Sequence, residues 1–185
     1  NGMSDPVFAR MQQLLATTES PELGPGPRPG VLPLGELNSR LEAVLRASRL
    51  SLRQQQLICS LILLWHDHLD TSHTISQGIE NADGSFVHAI MHRREPDAWN
   101  SKYWWRRVGN HPAFPEIAQR VSELLASGPA TAQADLARRL VGDGQWDAAA
   151  FVEACDSAKD EPLIQTLRAI QRIETEVLLE FFCHE

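Results

Sequence analysis

Apolar residues in this chain of 185 recur at every third or fourth position, and no stretch alternates at every second position. Spacings of three and four place side chains on one face of a helix, whereas a half-buried strand requires alternation. The clearest stripe follows Asp160 and Pro162 and comprises Leu163, Leu167, Ile170, Ile173, Val177 and Leu178. The sequence therefore predicts an all-α protein, a compact bundle of about seven to eight helices in a single domain over residues 1–185.

Capping residues and prolines divide the pattern into helices. Ser4 and Asp5 precede a first-turn Pro6 and start a helix that reaches about residue 17. Ser51 caps a long helix, and Pro96 ends another because it disfavours helical geometry at the residue before it. The remaining helices are predicted over 36–47, 51–77, 86–94 with Asp83 or Ser85 as cap, 98–108 with Asp97 as cap, 115–126, 132–140, 147–158 and from 161 onward.

Residues 19–35 interrupt this series of helices. The segment is rich in proline and glycine, which fit neither the interior of a helix nor that of a sheet. It is predicted to be a linker or an extended strap near the N-terminus.

The net charge, the cysteines and the apolar runs limit the partners and the cellular compartment expected for the protein. The net charge of −7 disfavours nucleic-acid binding, which depends on clustered cations. Cys59, Cys155 and Cys183 are far apart and form no C-x-x-C pair, which indicates a reducing cytoplasm without disulfides. The strongest apolar run, residues 57–65, is about half of a membrane span, so no membrane insertion is expected.

Six of the seven histidines lie between positions 66 and 111. Spacings of four and three place two sets of polar residues on one face each of two successive helices: His66, Asp70, His73 and Gln77 on the first, and His88, His92 and Glu95 on the second. A short turn makes the two helices antiparallel neighbours. With the midpoint of the turn at residues 82 and 83, His73 is predicted to face His92, Gln77 to face His88, and Asp70 to face Glu95.

Imidazoles and carboxylates that converge between helices suit a divalent transition metal such as Zn, Fe or Mn. The candidate ligands are His66, Asp70, His73, His88, His92 and Glu95. If the protein is an enzyme, the candidate catalytic residues are His73, His92, Asp70 and Glu95, because a histidine beside a carboxylate can act as a general base. The stripe from His66 to Gln77 spans about 16 Å, too long for one ion to bind all of it.

The same residues support a second interpretation without an ion. Asp70 would orient His73, Glu95 would bind a nearby arginine, and the resulting hydrogen-bond network would hold the helices in register. The protein would then be a non-catalytic interaction module or a homodimer. The absence of a nucleophile motif, a phosphate-binding loop and a standard metal signature favours this alternative.

The segment 93–111 contains three of the five tryptophans and the only tyrosine, interleaved with arginines. Arginine beside aromatic rings can hold a small anionic molecule. The candidate ligand-binding residues are Arg93, Asn100, Tyr103, Trp104, Arg106, Arg107 and His111. In the alternative interpretation the tryptophans fill the core, and Arg93, Arg94, Arg106 and Arg107 pair with Asp70, Glu95 and Asp97.

The same region carries a family resemblance. It rests on Asp83-Gly84-Ser85-Phe86, His88, Met91-His92-Arg93-Arg94-Glu95, Asp97, Asn100, Tyr103-Trp104, Arg106-Arg107-Val108-Gly109 and His111-Pro112. This pattern, about thirty residues long, resembles a family of uncharacterised bacterial and fungal proteins. The resemblance marks the location of a shared feature and implies no particular reaction.

Overall fold

A computed structural model describes residues 6–128 and 130–184, and this part of the chain is all-helical without a β-strand. Ten helices are present there, more than the seven to eight predicted. They are α1 Pro6–Leu14, α2 Leu34–Arg46, α3 Leu52–Trp65, α4 Leu69–Ser76, α5 Ala82–Arg94, α6 Ala98–Val108, α7 Phe114–Ala126, α8 Ala130–Val141, α9 Ala148–Ser157 and α10 Glu161–Cys183. The predicted cap at Ser4 and Asp5 lies outside the described residues.

The predicted long helix over 51–77 is wrong, because α3 ends at Trp65 and α4 begins at Leu69. Asp67 adopts a left-handed backbone conformation with φ 65°. The Asp67 amide donates to the Leu64 carbonyl, and the His68 amide donates to the Leu63 carbonyl. These two bonds form the Schellman motif that ends many helices, with aspartate at the position usually held by glycine. No glycine marks the break in the sequence, so periodicity alone extended the helix through it.

The start of α5 also differs from the prediction. Asn81 caps the helix by accepting a hydrogen bond from the Gly84 amide, so residues expected to form a turn are helical. A side chain at position 84 would collide with Ile79, which explains the glycine there. Two other predicted caps are confirmed: Ser51 at α3 and Asp97 at α6.

One buried arginine anchors the proline- and glycine-rich segment to the helices. The Arg28 guanidinium binds the Asp67 carboxylate at 2.6 Å and donates to the Trp65 carbonyl at 2.9 Å. The Arg28 amide donates to the same carboxylate. Arg94 of α5 also binds Asp67, at 2.6 Å. One carboxylate therefore joins this segment, the break after α3 and the end of α5.

Helix α5 lies at the centre of the packing, since it contacts α3, α4, α6 and α9. All of its residues from Gly84 to Arg94 are buried, including five that are normally charged or polar. Helix α10 closes the bundle against α1, α3, α7 and α9. No helix in the described part of the chain is both long and apolar enough to cross a membrane.

Candidate metal centre

Three histidines from α4 and α5 form a compact group, called here the histidine trio: His73, His88 and His92. One ring nitrogen of each can be chosen so that all three lie within 4.8 Å of one another. The Nε2 atoms of His73 and His88 are 3.0 Å apart. The ring of His73 lies 5.3 Å from that of His92, and His88 and His92 stack at 4.8 Å. The trio and nearby carboxylates could therefore hold a metal ion.

The environment keeps two members of the trio neutral. Burial lowers the pKa of His88 to about 3, with the neighbouring His92 and His73 lowering it further. Burial also lowers the pKa of His73, helped by His92 and opposed by Glu95 and Asp70. Because a neutral imidazole has a free lone pair, these two rings are in the form that binds metals.

Two neighbours orient the rings. His92 Nδ1 lies 2.6 Å from Glu95 Oε2, so Nδ1–H donates to the carboxylate and the lone pair remains on Nε2. His88 stacks on Trp104 of α6 with centroids 3.8 Å apart and planes inclined by 18°. The Nδ1 atom of His88 is buried without a hydrogen-bond partner in the described chain. Aromatic stacking on Trp104 therefore helps to orient a ring whose Nδ1 atom has no hydrogen bond in the described chain.

A cleft of about 300 Å³ opens beside the trio. Asp70, His73 and Glu95 line it, together with Pro25, Asp67, Leu69 and Met91. Asp70 is exposed, and its carboxylate forms no hydrogen bond or ion pair with the residues that the structure describes. Asp70 and Glu95 are predicted to face each other. In the structure both line this cleft, and His73 lines it as well.

His66 lies outside the trio although it was predicted as a ligand. Its Nε2–H donates to the Leu14 carbonyl at 2.7 Å, and its Nδ1 accepts from the Leu32 amide at 3.1 Å. Both nitrogens are therefore bound to backbone groups, at the end of α1 and in the proline- and glycine-rich segment, and neither is available to the cleft. Gln77, predicted to face His88, is exposed, and His73 contacts His88 instead. The break after α3 accounts for the position of His66, because it separates His66 from the helix that carries His73.

Several predicted ligand-binding residues form hydrogen bonds and ion pairs within the fold instead. Arg93 is buried and binds Glu174 at 2.7 Å and Gln171 at 3.0 Å. His111 donates from Nε2 to Asp83 and accepts the Ala113 amide at Nδ1. The predicted pairing of Arg93 and Arg94 with Asp70, Glu95 and Asp97 is therefore wrong. Carboxylates from distant parts of the sequence bind these arginines, which helical spacing could not reveal.

The remaining predicted ligand-binding residues lie on α6, which Asp97 caps. The Asp97 carboxylate could join His92 and Glu95 in a second ligand group, but it accepts from both the backbone and the side chain of Asn100. Tyr103, Arg106 and Arg107 are exposed, whereas Trp104 is half-buried against His88. The sequence selected Trp104 as a ligand-binding residue and did not reveal its contact with a histidine.

A larger groove of about 590 Å³ lies between α2, α3 and α4. Its walls are largely apolar and contain none of the clustered histidines: they include Leu41, Leu45, Leu52, Cys59 and Ile79. Burial raises the pKa of the Cys59 thiol to about 11, which leaves it protonated and unreactive near neutral pH. The smaller cleft beside the trio is therefore the better candidate for chemistry.

Comparison with family models, with curated proteins and with solved structures finds no match to this chain. The family resemblance of residues 83–112 stays a prediction.

Proposed function

We propose that His73, His88 and His92 bind one divalent transition metal ion, with the open side of the ion toward the cleft lined by Asp70 and Glu95. The convergence of three imidazole nitrogens within 4.8 Å carries the proposal. Two nitrogens bound to one tetrahedral zinc ion at 2.0–2.1 Å are roughly 3.3 Å apart. The 3.0 Å between the Nε2 atoms of His73 and His88 is close to that separation, so this pair requires only a small adjustment to bind one ion.

The identity of the donors favours zinc or ferrous iron over magnesium or calcium. Imidazole nitrogen suits zinc and iron, whereas the hard cations prefer oxygen ligands. Three protein ligands leave a fourth position for water or substrate, the arrangement that catalytic zinc sites use. Glu95 would act through His92, because a carboxylate on the distal nitrogen fixes the tautomer and strengthens the ligand.

We infer from this arrangement an enzyme that adds water to a carbonyl or phosphoryl group. The ion would act as a Lewis acid and lower the pKa of a bound water. Asp70 is the candidate general base, since it lies on the same cleft and forms no ion pair with the described residues. Proton transfer of this kind contributes typically about 10²–10⁴-fold to rate.

A structural hydrogen-bond network is the second candidate. The 3.0 Å contact between His73 and His88 favours it, because two neutral imidazoles can share a hydrogen at that distance. In this case the helices are held in register without an ion, and the protein is a non-catalytic module or homodimer.

Elemental analysis of protein purified without chelator separates the two candidates. The metal proposal expects about one zinc or iron per chain, lost in His88→Ala and kept in His184→Ala, whose imidazole is exposed at the C-terminus. Replacement by Co²⁺ should give the visible absorption of a tetrahedral nitrogen site. Absence of stoichiometric metal, with no change in melting temperature on adding Zn²⁺, Fe²⁺ or Mn²⁺, would leave the hydrogen-bond network.

The hydrolytic part has its own test. Turnover of 4-nitrophenyl acetate or 4-nitrophenyl phosphate should depend on the bound metal and fall in Asp70→Asn while the metal content is unchanged. Equal turnover in the variant and the wild type would remove Asp70 as the base and leave the metal site standing.

A further inference from the structure

The outer face of α6 presents aromatic rings and cations to solvent. Trp99 is 74% exposed and Tyr103 is 38% exposed. Arg106 and Arg107 are exposed one turn further along the helix. Positions 99, 103 and 106 follow a spacing of four and three, which places them in a row along one side of the helix. We call these four residues the α6 face.

The two arginines of the α6 face have no anionic partner in the described chain. Some exposed arginines on other helices bind a glutamate one turn away, as Arg40 binds Glu36 and Arg46 binds Glu42. No acidic residue stands three or four positions from Arg106 or Arg107. The Arg106 guanidinium instead lies 6.0 Å from the Tyr103 ring, and that of Arg107 lies 5.3 Å from the Trp104 ring. Two adjacent positive charges thus remain available in a chain of net charge −7.

We propose that the α6 face binds a nucleoside monophosphate, with the base stacked on Trp99 and Tyr103 and the phosphate on Arg106 and Arg107. Guanidinium groups bind phosphate through two parallel hydrogen bonds, and aromatic side chains stack on any base. One helical turn of about 5.4 Å separates Tyr103 from the arginines. That separation suits a ligand in which a ring and a phosphate are joined through a single sugar.

The charge and extent of the α6 face favour a mononucleotide over a nucleic-acid chain. Polymer binding uses a positively charged groove that follows several phosphates. Here two arginines stand beside the aromatic rings, and Asp97 and Glu95 lie just before the helix. The site uses no residue of the histidine trio, so it does not depend on the proposed metal.

Calorimetric titration with AMP, adenosine and inorganic phosphate, each given separately, tests the proposal. AMP should bind more tightly than adenosine or phosphate, because only AMP offers both ring and anion. The double change Arg106→Gln with Arg107→Gln should weaken AMP binding at least tenfold, as should Trp99→Ala. The matched control, Arg40→Gln with Arg46→Gln, also removes two exposed arginines and should leave AMP affinity unchanged.

Several results would overturn the proposal. Equal affinity for AMP and phosphate would exclude stacking, and equal affinity for AMP and adenosine would exclude the anion site. Much tighter binding of a single-stranded oligonucleotide than of AMP would assign the face to a polymer. Because all four positions are exposed, circular dichroism should show unchanged folding in every variant. His88→Ala should retain AMP binding, so that failure of the metal proposal and failure of this one can be told apart.

Discussion

The buried arginines and the histidine trio are both polar groups on α5, but their hydrogen-bonding capacity is used to different extents. Arg93 forms three side-chain bonds with Glu174 and Gln171. Arg94 binds Asp67 and the carbonyls of Leu64 and Gly24. In the trio, by contrast, the His88 Nδ1 atom has no partner, and no carboxylate contacts the ring of His73 or His88 in the part of the chain described.

This contrast distinguishes buried polar residues that stabilise the fold from buried polar residues that are available to bind a ligand. A buried arginine paired with a carboxylate holds helices together, and its charge is neutralised within the fold even though Arg93 Nε has no partner among the described residues. Buried imidazoles whose nitrogens are only partly hydrogen-bonded are costly to the fold, and such groups concentrate at functional sites. Both kinds of residue lie in the same stretch of sequence, so residue density alone could not distinguish them.

The largest effect is expected at the carboxylate that two arginines share. Asp67→Asn should lower the free energy of unfolding by about 3–5 kcal/mol, because it leaves the buried Arg28 and Arg94 without an anion. Asparagine tolerates the left-handed conformation, so the change isolates the charge. Urea denaturation measures the loss. Asp70→Asn is the matched control, and its unfolding free energy should stay within about 0.5 kcal/mol of the wild type. Similar losses in both variants would show that Asp67 does not stabilise the fold through its two arginines.

The next effect concerns the trio. His73→Leu should lower the unfolding free energy of the metal-free protein by only about 1 kcal/mol, since it removes one hydrogen bond to His88 and no charge pair. Zinc at a hundredfold excess over its Kd should stabilise the wild type by about 2.7 kcal/mol, or roughly 5–10 °C in Tm, and should not stabilise the variant. The His184→Leu protein should respond to zinc as the wild type does. A zinc response that survives His73→Leu would place the ion elsewhere.

The sequence predicted the helices and the meeting of the two histidine-bearing helices because both follow from local periodicity. It failed where tertiary contacts decide the local structure. The break at Asp67 depends on Arg28 and Arg94, which are 39 and 27 positions away. Arg93 is likewise paired with Glu174, which lies in the last helix. Spacing rules describe one element at a time, so they placed His66 on a continuous stripe that the fold divides.

A smaller effect on stability is expected from His66, both of whose ring nitrogens are hydrogen-bonded. Burial lowers its pKa; Arg28 and His68 lower it further, while the Leu14 carbonyl and Asp67 oppose the shift. Below pH 6.5 the unfolded chain therefore takes up this proton more readily than the folded one, so stability falls as the pH falls. The contribution is at most about 1.4 kcal/mol per pH unit.

Urea denaturation between pH 7.5 and 4.5 measures this dependence. The stability of His66→Gln should fall less steeply with decreasing pH than that of the wild type, and His184→Gln should match the wild type. Equal slopes in all three proteins would show that the pKa of His66 is the same in the folded and unfolded states.

The smallest effect tests whether stacking orients His88. Trp104→Leu should weaken zinc binding about tenfold, since an aromatic pair contributes roughly 0.5–1.5 kcal/mol and the His88 Nδ1 atom has no hydrogen-bond partner in the described chain. Trp104→Phe keeps an aromatic face and should restore most of the affinity. Trp99→Leu, on the exposed side of the same helix, should leave zinc binding unchanged while reducing AMP binding. If Trp104→Leu binds zinc as tightly as the wild type, the stack only fills space, and the metal site is oriented through His92 and Glu95 alone.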